Sequence, residues 1–228
     1  MTSGGYGPAT ITQPVIITAI GVDASISAMS GGNGITINTT GNVTLIGLNL
    51  HGEGVGLNGV EVQQGAFIRL YNMLIENFTK NGVEFEVNGK LQISGSWINN
   101  NAGTAGLLVV NAAASPYVQG TSFSGNTNGV IVGSGQVTVA DSSAEYNGTG
   151  FGANGTLTLI NDRAVLNDTG LEAFPGGTLY FANCLIANND FSYQIVTGST
   201  MSGTNPGTSF ITPGQMTSGT LSSPIVLQ

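Results

Sequence analysis

Residues 126–173 read NTNGVIVGSGQVTVADSSAEYNGTGFGANGTLTLINDRAVLNDTGLEA, and this stretch decides the fold. Three times within it an asparagine is followed three residues later by a glycine, starting at Asn126, Asn147 and Asn167. A short segment of alternating apolar residues follows each glycine, which is the pattern of a strand with one buried face. The glycines lie 21 and 20 residues apart, so the stretch predicts short strands that restart at a nearly constant interval.

The same glycine-led strand recurs upstream of residue 126. Seven such segments begin at Gly34, Gly59, Gly82, Gly106, Gly129, Gly150 and Gly170. Successive glycines lie 25, 23, 24, 23, 21 and 20 residues apart, and two further short apolar runs follow within most periods. Because strands this short cannot bury a face alone, neighbouring periods must stack to form a continuous core.

Three strands and three turns per period make a coil with a triangular cross-section and rungs about 4.8 Å apart. We therefore predict an all-β, single-stranded parallel β-helix, or β-solenoid, with about three short strands per rung and roughly 8–9 rungs. A β-propeller is the main alternative, but its blades need about 40–50 residues, which is twice the observed period.

The turns of this coil are rich in glycine and asparagine. Both residues tolerate positive φ, which several corners of the coil demand. Stacked asparagines in equivalent turns can also form hydrogen bonds along the axis. We predict one such ladder from Asn77, Asn100, Asn126, Asn147, Asn167 and Asn188.

The repeat also predicts the domain organisation. Residues 1–196 are expected to form the β-helix domain, with irregular first rungs at 1–32 and regular rungs at 33–190. Residues 197–228 are rich in Gly, Ser and Thr and are expected to be a C-terminal cap or a flexible tail. A cap is favoured because an uncovered rung end is an aggregation hazard.

Together with the opening stretch PATITQPVII at residues 8–17, these repeats resemble the pectate-lyase-like, right-handed parallel β-helix superfamily over roughly residues 4–196. The resemblance implies the right-handed sense of the coil, which the residues themselves do not decide. It does not imply one activity, since the superfamily includes lyases, hydrolases, epimerases and proteins without known chemistry.

Composition excludes several partners. The net charge is −8, and only 4 Lys and Arg are present, so the basic field that nucleic acid or an anionic lipid surface requires is missing. No apolar run is long enough to span a membrane. One cysteine, Cys184, rules out an internal disulfide. We expect a secreted or cell-surface protein whose signal peptide is not part of this sequence; the oligomeric state cannot be predicted.

An acidic patch is predicted on the glycine-led strands. Glu61 and Glu84 lie two residues after their glycines, while Gln63 and Glu86 lie four residues after them, so all four should point outward on adjacent rungs. Carboxylates this close could raise a pKa, act in catalysis or hold Ca²⁺; an ordinary polar surface is the alternative. No His/Cys ligand spacing is present, so we predict no other metal site and no resident cofactor.

A second outward column is predicted on the next strand of each rung. It contains Arg69, Gln92, Tyr117, Thr138, Thr158 and Tyr180. Arg69 is a catalytic candidate, because the resembled lyases use an arginine as a base, but a salt link with a neighbouring carboxylate is the simpler role. Tyr117 and Tyr180 could stack on sugar rings or could cover apolar surface. The single histidine, His51, is a further candidate base, with Glu53 as its neighbour.

The turns decide between the functional hypotheses. Clefts on repeat scaffolds are usually built from insertions on one face, and no period here carries a long one. We therefore predict a non-catalytic extracellular or cell-surface β-helix module with a structural or carbohydrate-contacting role, whose partner is a polysaccharide or cell-surface glycan. The alternative is a carbohydrate-active enzyme, a lyase, hydrolase or epimerase, that uses Glu61, Glu84, Glu86 and Arg69.

Overall fold

A computed structural model of the chain describes residues 3–204, 209–210, 215–216 and 220–222. All regular secondary structure in these residues is β-strand, and the strands follow one another around a single coil. Each turn of the coil contributes one strand to each of three sheets.

The strands are numbered β1 to β30 along the chain, and every third strand belongs to the same sheet. Sheet 1 contains β1 (Gly4–Tyr6), β4 (Ala24–Ser27), β7 (Asn49–His51), β10 (Leu74–Glu76), β13 (Trp97–Asn99), β16 (Ser122–Ser124), β19 (Ser143–Glu145), β22 (Arg163–Val165), β25 (Leu185–Ala187) and β28 (Ser209–Phe210). Sheet 2 contains β2 (Ala9–Ile11), β5 (Ile35–Asn38), β8 (Val60–Gln64), β11 (Val83–Phe85), β14 (Leu107–Val109), β17 (Asn128–Val132), β20 (Thr149–Ala153), β23 (Thr169–Ala173), β26 (Phe191–Ile195) and β29 (Gln215–Met216). Sheet 3 contains β3 (Val15–Thr18), β6 (Val43–Ile46), β9 (Phe67–Tyr71), β12 (Lys90–Ser94), β15 (Tyr117–Gln119), β18 (Gln136–Ala140), β21 (Thr156–Ile160), β24 (Thr178–Ala182), β27 (Thr200–Thr204) and β30 (Thr220–Ser222).

All three sheets are parallel, and each contains ten strands in chain order. Nine turns of the coil therefore separate the first strand of a sheet from the last described one. The predicted fold class, a parallel β-solenoid with three short strands per rung and roughly 8–9 rungs, is confirmed.

The core is a column of apolar side chains that runs along the axis. Alternation sends one face of each strand inward, as at Val137 and Val139 of β18, which are both buried. Equivalent positions on successive rungs are in register, so Val130 stacks between Leu107 and Phe151 inside sheet 2. Each fully buried aliphatic or phenylalanine side chain stabilises the coil by about 1.5–3 kcal/mol.

The glycines that mark the repeat are required for a different reason than predicted. Turn glycines such as Gly125 do have positive φ, here 65°. The strand-leading glycines do not; a Cβ at Gly129 would lie 2.5 Å from the carbonyl oxygen of Gly150, and a Cβ at Gly150 would lie 2.7 Å from that of Gly170. No side chain fits at that distance, so close approach of successive rungs selects glycine here.

The asparagine ladder exists, but its predicted membership is partly wrong. The buried ladder contains Asn101, Asn126, Asn147, Asn167 and Asn189. Asn77, Asn100 and Asn188 lie one residue earlier, where φ is 62°, 54° and 55°. The predicted ladder therefore mixes residues of two adjacent columns. In one column asparagine is selected because φ is positive, and in the other because its side chain forms buried hydrogen bonds.

Beyond residue 196 the described strands continue the same three sheets. Strands β27 to β30 pair in parallel with β24 to β27. The other residues of the predicted cap or tail at 197–228 lie largely outside the described residues, so the boundary at 196 stays a prediction.

Candidate functional site

The three predicted acidic residues meet on the outer face of sheet 2. Glu61 of β8 lies directly opposite Glu84 of β11. Glu86 follows just after β11, and its backbone N–H donates to the carbonyl oxygen of Val62 at 3.3 Å. One carboxylate oxygen from each of the three residues lies within 4.8 Å of the others. The periodic sequence therefore places these groups close enough to interact electrostatically.

Amide side chains hold two of these carboxylates. Glu61 accepts hydrogen bonds from Asn33 Nδ2 (3.0 Å), Asn58 Nδ2 (3.3 Å) and Gln63 Nε2 (2.6 Å). Glu84 accepts one from Asn81 Nδ2 at 3.3 Å. The asparagines come from the turn before each strand, so turn and strand together build the patch.

Glu86 differs from the other two. Burial raises the pKa of its carboxyl group, the charges of Glu84 and Glu61 raise the pKa further, and Lys80 opposes them. Glu86 also borders a shallow hollow whose lining includes Gln63. Three carboxylates at this spacing supply the oxygen ligands that Ca²⁺ prefers. A Ca²⁺ role and a catalytic role for these residues stay predictions.

Arg69 does not join this patch. It lies on sheet 3, in register with Thr44 and Gln92. Its guanidinium carbon lies 3.6 Å from the ring centroid of Phe67. The salt link that was the simpler expectation for Arg69 is wrong, because within the described residues Arg69 forms none with a carboxylate. Stacking on the aromatic ring stabilises its guanidinium instead.

Tyr117 and Tyr180 occupy the predicted outward column of sheet 3. Tyr117 pairs with Gln92 and Thr138, and Tyr180 pairs with Thr158. The two tyrosines are 37% and 47% exposed. Three rung steps separate them, which corresponds to about 14 Å along the axis. Their side chains are therefore accessible at two points on the outer face of sheet 3.

His51 is held by a residue of the next rung. Its Nδ1 lies 3.0 Å from Oε1 of Glu76, which is its register partner on β10. Glu53 lies in the following turn with a φ of 53°. The histidine therefore takes part in a pair between rungs on sheet 1, away from the acidic patch on sheet 2.

Among the exposed aromatic side chains that the sequence reasoning missed, Trp97 is the most exposed of the described residues. Trp97 of β13 points outward from sheet 1 and is 64% exposed, while the next residue, Ile98, is buried. Alternation around Ile98 was the signal that could have identified it.

Comparison with known proteins agrees with the architecture. Residues 15–144 match the family described as right handed beta helix region. A crystal structure of pectate lyase Pel9A is similar, with 15% sequence identity, a TM-score of 0.57, and coverage of 98% of this chain and 69% of that chain. At this identity the likeness concerns the fold. A search of the curated proteins found no match. Within the described residues, no helix is long and apolar enough to cross a membrane.

Proposed function

Because the chain belongs to the right-handed β-helix family, we propose that it is a non-catalytic module that contacts carbohydrate with the outer face of sheet 3. The observation that carries this proposal is a single outward-facing column in register, in which the two tyrosines are exposed and the other four residues are partly buried: Arg69, Gln92, Tyr117, Thr138, Thr158 and Tyr180. The column combines aromatic rings with hydroxyl and amide groups on a rigid sheet.

This combination suits sugars. An aromatic face packs against the C–H face of a sugar ring, and neighbouring polar groups bind its hydroxyls. The threonines Thr138 and Thr158 lie between the two tyrosines, so both kinds of contact are available along one line parallel to the axis. An extended glycan chain could follow this line.

The acidic patch supports a non-catalytic role. A catalytic pair usually has two carboxyl groups whose environments push their pKa values apart at a water-excluding site. Here Glu61 and Glu84 are hydrogen-bonded by amides on a half-exposed strand face. We propose that this network links rungs and keeps the surface polar.

The proposed partner is a polysaccharide or a cell-surface glycan, and the proposed location is secreted or at the cell surface, where such glycans occur. Nucleic acid is not proposed as a partner because the chain carries 12 acidic and only 4 basic residues. No cofactor is needed for binding of this kind.

Glycan binding by the wild type and by Tyr117→Ala and Tyr180→Ala tests the proposal. Each variant should lose affinity by about tenfold, which corresponds to the roughly 1.4 kcal/mol that a stacked ring contributes. Tyr146→Asn is a matched control, because Tyr146 is 62% exposed at a turn position with a φ of 56° where asparagine fits. Unchanged affinity in both column variants would refute a contact on sheet 3.

A carbohydrate-active enzyme is the second candidate, and the raised pKa of Glu86 beside Glu84 is the observation that favours it. A panel of acidic and neutral polysaccharides, with and without Ca²⁺, should show no turnover if the module is non-catalytic. Turnover that Glu84→Gln abolishes would establish the enzyme instead.

A further inference from the structure

A groove runs along the outer face of sheet 1 and the corner that joins it to sheet 3. Two hollows form it, and Trp97 lines both. One hollow of about 420 Å³ extends toward the later rungs and includes Ser122 and Arg163. The other, of about 270 Å³, extends toward the earlier rungs and includes Leu74. Trp97 therefore lies between the two hollows and faces both of them.

The groove is straight because it follows the register of sheet 1. One outward residue per rung contributes to it, namely Asn49, Leu74, Trp97, Ser122, Ser143 and Arg163. These residues span five rung steps, or about 24 Å along the axis. A site of this length and direction fits an extended chain better than a compact small molecule.

Missing side chains open the groove beside Trp97. The corner before sheet 1 places one residue of positive φ on each rung, and at Asn72, Asp141 and Asn161 it carries a polar side chain. Between them the same position is glycine, with φ of 60° at Gly95 and 57° at Gly120. The open position is Gly120, where a Cβ would meet no atom closer than 4.0 Å, whereas the side chain of Asn72 reaches over Gly95. The corner is therefore low at Gly120 and higher at both ends of the groove.

The lining has the chemistry that a sugar chain requires. Trp97 presents a large exposed ring on a rigid strand, which is suited to stacking on the C–H face of a sugar. Ser122 and Ser143 supply hydroxyl groups that both donate and accept hydrogen bonds. Asn161 adds a side-chain amide at the later end.

The charges of the groove indicate which class of sugar chain fits. Its one acid, Asp141, accepts a hydrogen bond from Asn161 Nδ2 at 3.1 Å, and its one base is Arg163. The groove is therefore close to neutral. The whole chain carries a net charge of −8, which disfavours a polyanion approaching it.

We propose that this groove binds an extended neutral polysaccharide chain, with one sugar ring stacked on Trp97. The inference rests on the proposed carbohydrate-contacting function, but it identifies a second surface, on sheet 1 instead of sheet 3, and a ligand class. Leu74 and the two serines contact the sugars on either side of the stacked ring.

Fluorescence tests the proposal directly, because Trp97 is the single tryptophan of the chain. Neutral β-linked hexasaccharides of glucose, xylose and mannose are titrated into the protein, with polygalacturonate as the acidic counterpart. At least one neutral oligosaccharide should shift the Trp97 emission and protect it from acrylamide quenching. Polygalacturonate should cause a smaller change, and a larger one would overturn the proposed ligand class.

Two variants test the groove by calorimetry. Trp97→Ala should weaken binding of the neutral chain by about tenfold or more. Gly120→Asn should also weaken binding, because its side chain fills the space beside the indole ring while Trp97 stays in place. Asparagine tolerates the positive φ at this position, as Asn161 does on a later rung. Tyr146→Asn, at a residue outside the lining of both hollows, should leave this binding unchanged.

The outcomes separate the two proposals. Glycan binding that requires Tyr117 and Tyr180 but tolerates Trp97→Ala and Gly120→Asn would overturn the groove and leave the proposed function intact. Binding that requires Trp97 and tolerates the tyrosine variants would support the groove and refute the contact on sheet 3. A wild-type protein that binds no glycan at all would refute both.

Discussion

The early rungs, residues 33–106, and the late rungs, residues 107–195, build the turn between sheet 1 and sheet 2 in two ways. The early turns are long and cover residues 52–59, 77–82 and 100–106. The late turns have three residues each and cover 125–127, 146–148, 166–168 and 188–190. One scaffold therefore carries two kinds of corner.

The corners use asparagine differently. In the early rungs, Asn33, Asn58 and Asn81 lie next to the strand-leading glycines and donate to carboxylates on the outer face. In the late rungs, the ladder asparagines are buried and form hydrogen bonds from one rung to the next along the axis. Asn58 and Asn81 are buried as well, and each also accepts a backbone N–H from the next rung. The early asparagines therefore contact both the surface carboxylates and the neighbouring rung, whereas the late ladder asparagines form their hydrogen bonds within the coil alone. Loss of a buried ladder asparagine should therefore cost more stability than loss of a partly buried asparagine of the early corners.

The largest effect is expected at Asp162, a carboxylate of the late rungs that is 1% exposed. Its Oδ1 accepts from the N–H of Ser142 and its Oδ2 from the N–H of Ile160. Burial raises its pKa from 3.8 to about 7 despite these bonds. Because its pKa is higher in the folded protein than in the unfolded chain, Asp162 binds its proton more tightly in the folded state. This proton binding stabilises the fold in full below about pH 4, and the stabilisation is lost as the pH rises to about 7.

Asp162→Ser should remove this dependence, because serine or threonine occupies the same column at Ser96, Thr121 and Ser142. The free energy of unfolding of the wild type, relative to the variant, should fall by roughly 1.4 kcal/mol per pH unit between about pH 4 and pH 7. Denaturant unfolding of both proteins at several pH values measures this difference. Parallel curves would show that Asp162 does not titrate in this range.

The next effect is expected at Asn147 in the buried ladder. Its Nδ2 donates to the carbonyl oxygen of Phe123 (3.1 Å) and to Oδ1 of Asn167 (3.0 Å), while its Oδ1 accepts from the backbone N–H of Asn126 (2.9 Å). Asn147→Ala removes all three bonds and takes away the side-chain acceptor of the buried Asn126 N–H, so the free energy of unfolding should fall by about 3 kcal/mol.

Asn33→Ala is the matched control in the early rungs. Asn33 also accepts from a backbone N–H, that of Asn58, at 3.1 Å, but it is only partly buried. Water can replace part of what is lost, so the cost should be about 1 kcal/mol or less. Equal losses in denaturant unfolding would contradict the difference between early and late corners.

The sequence predicted those features that follow from a constant period and strict alternation. These two properties put Glu61 opposite Glu84 and Arg69 opposite Gln92, without any knowledge of side-chain conformation. They did not locate the ladder in the run Asn99–Asn101, because three adjacent asparagines carry no local signal for which one is buried. Packing against the next rung decides that choice.

Side-chain conformation and neighbours from other rungs explain the remaining differences. Arg69 stacks on Phe67, two residues earlier, and the alternation pattern does not distinguish this from a salt link. The exposure of Trp97 follows from alternation, but the groove beside it does not. It depends on Gly120, which reaches that place only after the coil has completed another turn.

The smallest effect on stability is expected from Glu84→Gln in the acidic patch of the early rungs. Because the Glu84 charge is one cause of the raised pKa of Glu86, its removal should lower that pKa. Lys80→Gln should raise it, since the Lys80 charge acts in the opposite direction. NMR titration of the Glu86 side-chain carbonyl measures both shifts, and the free energy of unfolding should change by no more than about 0.5 kcal/mol. Opposite pKa shifts at nearly constant stability would show that the early carboxylates interact with one another but contribute little to the free energy of unfolding. A large loss of stability would mean that this patch stabilises the coil as much as the late ladder does.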